Sequence, residues 1–124
     1  MYSIKIRDHV MIAHSLKGDV FGPAQQMHGA TYVIDVIFKS RELTKDNIVF
    51  DIGLAHEVLK SVLKPLNYQN LDELPQFVGN VTTTEFLAKY IHDKVKEMVN
   101  EQFKGTLEVV LGESHVAWAS YSGE

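Results

Sequence analysis

The chain contains no cysteine. It therefore has no disulfides, no thiolate zinc ligands and no cysteine nucleophile, and it is not a small secreted scaffold built on disulfides. It has no excess of positive charge. The net charge is −4, and the 12 basic residues are scattered rather than gathered into the stripe that nucleic-acid binding needs. No apolar run approaches the roughly 20 residues of a membrane span. No signal peptide is visible, because Met1-Tyr2-Ser3-Ile4-Lys5 leads straight into alternating residues. The expected location is the cytoplasm. There is no internal repeat and no low-complexity segment. What remains is 124 residues, 45% apolar and 23% charged, which suits one domain over 1–124.

Two periodicities divide that domain. From Ile4 to His14 residues alternate, with Ile4, Ile6, Val10 and Ile12 on one face, and period two means a strand. Asp8 and His14 share that face. Residues 17–27, with Gly18, Gly22 and Pro23, read as a loop. Alternation returns from His28 to Lys39, where Ala30, Tyr32, Ile34, Val36 and Phe38 follow His28. Asp51 can cap a helix whose apolar stripe is Ala55, Val58, Leu59, Val62, Leu63 and Leu66, and Pro65 stops it near Lys64. A second helix is expected from Thr82, opened by a capping box in Thr82-Thr83-Thr84-Glu85 and ended by Gly105. Its stripe is Leu87, Ile91, Val95 and Met98. Strands return around Leu107–Ala117, with Gly112 as a bend or bulge.

The order β-β-α-α-β-β implies an α+β fold, an antiparallel four-stranded sheet with two helices on one face. Four strands leave two open edges. Joining sheets between subunits would cover them, which favours an oligomer.

Six histidines are candidates for chemistry. His14 and His28 each stand at a strand end on the more apolar face, so a hairpin would bring the rings together. That leaves two readings open: a metal site, or two separately hydrogen-bonded histidines. Glu113 ends an apolar run at inward parity, with His115 on the same face. It is either a strand-end carboxylate in water or an acceptor for a flat amidine-like group. The threonine run is explained by capping, although a helix N-terminus can also hold a ligand. His56 and His92 read as solvent-facing, and His9 lies on the polar face of its strand.

Six segments occur in order: Ala13-His14-Ser15-Leu16, Met27-His28-Gly29-Ala30, Phe50-Asp51-Ile52-Gly53, Lys64-Pro65-Leu66-Asn67-Tyr68-Gln69-Asn70-Leu71, Thr82-Thr83-Thr84-Glu85-Phe86-Leu87-Ala88, and Glu113. Together they resemble the landmarks of the 6-pyruvoyl-tetrahydropterin synthase and 6-carboxytetrahydropterin synthase family, over nearly the whole chain. The resemblance implies a tunnelling fold (T-fold). It also implies a pterin substrate, a zinc ion on three histidines, a cysteine base, an Asp-His pair for proton transfer, and trimers stacked as hexamers with sites between subunits.

Carried over by residue, the resemblance makes His14 and His28 the first two metal ligands and puts Ala30 at the third. The cysteine position holds Ala24, and Asn67-Tyr68 replaces the Asp-His pair. Glu113 matches the pterin anchor, and Thr83 and Thr84 match the pocket threonines. His115, or a carboxylate such as Asp8, is the candidate for a shifted third ligand. The expected function is that of a divergent homolog binding a pterin or related GTP-derived compound. One form of it is a metal-dependent lyase or related enzyme of changed specificity; the alternative is a non-catalytic pterin- or purine-binding module.

Overall fold

In a computed structural model, which describes residues 1–123, the alternating segments form long strands. The order is β1 (Tyr2–His14), β2 (His28–Ser40), α1 (Ile52–Leu63), β3 (Gln69–Asn70), α2 (Thr84–Val99), β4 (Thr106–Ser114) and β5 (Ala117–Gly123). β1 and β2 pair antiparallel along their full length, from Tyr2 opposite Ser40 to His14 opposite His28. β4 pairs with β2, and β5 with β4, also antiparallel.

The four expected strands are joined by a fifth. The two-residue β3 runs parallel to β1 at Ile12 and Ala13, so the sheet order is β3-β1-β2-β4-β5 and the sheet is mixed rather than wholly antiparallel. Two residues are too few to show a period, so composition gave no sign of β3.

One face of the sheet is covered by both helices. Ile6, Val10, Ile12, Tyr32, Ile34, Val36, Phe38, Leu107, Val109 and Leu111 are buried against Ala55, Val58, Leu59, Val62 and Leu63 of α1 and Leu87, Ala88, Ile91, Val95 and Val99 of α2. Each fully buried large side chain contributes about 1.5–3 kcal/mol against the entropy of ordering. Phe38 and Phe50 stack at 4.7 Å between ring centroids, and Phe103 meets Phe38 edge-on at 5.2 Å, closing the core far from the histidine end. The opposite face carries no helix. On it Arg7 makes a two-bond pair with Asp35, at 2.6 and 3.0 Å.

Asp51 caps α1 as expected, its Oδ1 accepting from the Leu54 N–H at 3.0 Å. Within the expected loop, residues Asp19–Gln25 form 3-10 turns. Three local expectations are corrected. α2 begins at Thr84, and its cap is Thr83, whose Oγ1 accepts from the Phe86 N–H, so Thr82 is free for another use. α2 ends at Val99, well before Gly105, and Met98 is exposed while Val99 is buried. His92 is buried rather than solvent-facing: β5 packs over α2, and the ring meets Tyr121 edge-on at 4.7 Å.

Candidate functional site

The antiparallel register makes His14 and His28 direct partners at one end of the sheet. Their rings meet edge to face with centroids 4.6 Å apart. Each is fixed through Nδ1. His14 Nδ1 lies 2.9 Å from Oγ1 of Thr82, and His28 Nδ1 lies 2.9 Å from the carbonyl oxygen of Gln26. A carbonyl only accepts, so His28 Nδ1 carries the hydrogen. His14 is 1% exposed and Thr82 2%. Burial is the first cause that holds the His14 pKa below its ordinary value; neighbouring His28 adds to it, while Asp72 and Thr82 pull the other way.

The loop after β1 is tied to the same corner. Ser15 donates to one Asp72 carboxylate oxygen from its hydroxyl, at 2.6 Å, and from its backbone N–H, at 3.1 Å. The Leu16 N–H donates to the Ala24 carbonyl at 3.0 Å, placing residue 24 beside the end of β1.

Tyr32 follows His28 and Ala30 on the same face of β2 and is 1% exposed. Burial raises its pKa; the Thr84 hydroxyl, positioned to hydrogen-bond to it, pulls it down, and Glu113 and Glu85 push it up through their charge. Glu113 itself is exposed, and among the described residues it has no hydrogen-bond or ion-pair partner. The register shifts between Gly112 and Ser114, so Glu113 stands at an irregularity that interrupts the alternation of β4.

The remaining expected site residues are spread apart. His115 lies in the turn between β4 and β5 and is exposed, not on a strand face beside the histidine pair. Asp8 stands in the middle of β1, opposite Ile34. Asn67 and Tyr68 grip the β1 edge: the Met11 N–H donates to Asn67 Oδ1 at 3.0 Å, and the Tyr68 N–H donates to the Met11 carbonyl at 2.7 Å. Tyr68 adopts φ 61°, uncommon for a non-glycine residue, and is 75% exposed. Ala30 and Tyr68 line one hollow of about 400 Å³ with Met11, Ala13, Gly29 and Thr31.

No group of three His, Cys, Asp or Glu residues among the described residues could hold a metal ion. Two imidazoles with alanine at the third position do not fit a three-histidine zinc centre. Sequence reasoning missed Thr82 as a partner of His14, Tyr32 as a wall of the site, and Asp72 as the anchor of Ser15. Tyr32 had a signal, its shared parity with His28. Asp72 had none, because only the tertiary fold brings it to Ser15.

The chain matches the family described as 6-pyruvoyl tetrahydropterin synthase over residues 3–124, and it belongs to that family. It is 29% identical over 107 residues to a 6-pyruvoyl tetrahydrobiopterin synthase of Dictyostelium discoideum, spanning 85% of this chain and 77% of that one. It is 35% identical over 83 residues, 67% of this chain, to the dynein light chain Tctex-type protein 2B of Mus musculus, and this match spans only half of the mouse protein. Among solved structures, a 6-pyruvoyl tetrahydropterin synthase of Caenorhabditis elegans superposes with a TM-score of 0.87 at 22% identity, covering 99% of this chain and 96% of that one. The fold is therefore the α+β T-fold. No helix among the described residues is long and apolar enough to cross a membrane.

Proposed function

We propose that this chain binds a pterin or a related GTP-derived compound, with Glu113 as its anchor and the chemistry usual to such enzymes altered. The observation that carries the reading is Glu113 itself, an exposed carboxylate near the end of β4 with no hydrogen-bond or ion-pair partner among the described residues. A carboxylate can accept two parallel N–H bonds from an aminopyrimidinone edge, a charge-assisted and geometrically selective contact. The family resemblance adds Thr83 and Thr84 to the ligand pocket, although Thr83 already caps α2.

The residues for the usual proton transfers are not in place. Ala24 has no titratable group, and Asn67 spends its carbonyl oxygen on the β1 backbone. The reading that follows is a binding protein for a pterin-like ligand, working as a homo-oligomer in the cytoplasm. A second reading, a lyase or related enzyme of changed specificity, is favoured by the contact of the His14 and His28 rings. Calorimetric titration against a panel of pterins and purine nucleotides separates the two from an unrelated use of the fold. Binding of an aminopyrimidinone without turnover supports the first reading, turnover supports the second, and no binding by any panel member rejects both.

A further inference from the structure

We infer that the His14–His28 pair is not a zinc centre in this chain and that ligand binding at this corner is metal-independent, His14 having become a strut that holds the start of α2. The second half of the statement rests on the pterin-binding reading above; the first stands alone.

The donor set carries the argument. A zinc site keeps about three protein ligands even when it leaves a position open for substrate. Here two nitrogen donors face each other, and no third His, Cys, Asp or Glu among the described residues completes a group. The nearby acidic group is otherwise engaged: one Asp72 oxygen takes both Ser15 hydrogen bonds. His115 sits exposed in the β4–β5 turn.

His14 instead has a structural occupation. Its buried Nδ1 meets the buried Thr82 hydroxyl, 68 positions further along the chain. The last residue of β1 thus braces the segment that opens α2. A buried polar pair of this kind costs stability when one member is removed, so it persists without any metal. His28, part-exposed with Nδ1–H spent on Gln26, is left with Nε2 as an acceptor for a ligand hydroxyl or N–H.

The test is zinc content of the full chain by elemental analysis after equilibration with zinc and gel filtration in a weak chelator, for the wild type, Ala30→His and His28→Ala. The expected result is far below one zinc per chain in the wild type. In Ala30→His, which restores a third imidazole, retention rises by roughly tenfold or more, the scale on which a change at a metal site alters affinity. About one zinc per chain in the wild type, lost in His28→Ala, overturns the inference. Titration of the wild type with neopterin, with and without EDTA, is then read separately. Equal affinity in both supports metal independence, weaker binding with EDTA contradicts it, and no binding in either condition rejects the pterin reading while leaving the zinc result to stand.

Discussion

The Nδ1 atom of His14, at the last residue of β1, lies 2.9 Å from the Oγ1 atom of Thr82, just before the cap of α2. Both side chains are buried, so neither has water as a substitute partner. Removing the hydroxyl leaves a buried ring nitrogen unsatisfied, which costs about 1–3 kcal/mol. Thr82→Val is therefore expected to lower the unfolding free energy measured in urea by that amount, and Thr82→Ser to recover most of it. A Thr82→Val protein as stable as the wild type would show that the contact holds nothing together.

Asn67 serves as an acceptor for the Met11 N–H at the edge of β1. Asn67→Ala is expected to cost about 1 kcal/mol or less, since this bond lies at the surface. It should also speed hydrogen exchange at the Met11 amide. Asn67→Asp keeps the acceptor and should leave that exchange rate close to the wild type.

Gly105 has no room for a side chain. A Cβ there would collide with the Lys39 carbonyl oxygen and the Phe103 ring. The carbonyl belongs to the β2 backbone and cannot swing aside. Gly105→Ala is expected to destabilise the fold by about 1–3 kcal/mol, as overpacking generally does. Thermal melting checks this, and Gly79→Ala, where a Cβ meets open space, separates steric cost from backbone strain.

Asp35 titrates below its ordinary range, chiefly because Arg7 hydrogen-bonds to it. A carboxylate whose folded pKa is depressed adds stability above its unfolded pKa of about 3.9 and loses it as pH falls through the folded value. Arg7→Gln is thus expected to be less stable than the wild type at neutral pH, with the difference vanishing in acid. A gap that stays constant from pH 7 down to strong acid would contradict this cause.

Much of the fold was legible because its signals are local. Alternation in Ile4–His14 and His28–Lys39 fixed two strands and, through the shared ends, the meeting of His14 with His28. The stripe in α1 and the Asp51 cap were equally local. What escaped depends on packing. The irregularity between Gly112 and Ser114 falls at the exposed Glu113, and no sequence period announces it. His92 has charged neighbours in Asp93 and Lys94 and so reads as exposed. Its spacing from Ala88, Val95 and Val99 is nonetheless that of a helical face, and β5 covers it. Of the three threonines at 82–84, composition said only that one would cap. The structure divides them, with Thr82 on His14 and Thr83 on the helix, while Thr84 is the first residue of α2.

The account stands on Glu113 as the anchor of a pterin-like ligand. The most direct measurement is calorimetric titration of neopterin into the chelator-treated wild type and into Glu113→Gln, with melting curves of both. The expected result is binding by the wild type, at least about tenfold weaker binding by the variant through loss of a charge-assisted contact, and unchanged melting, since Glu113 is exposed. Equal binding by the two proteins, or no binding by a folded wild type, would contradict it.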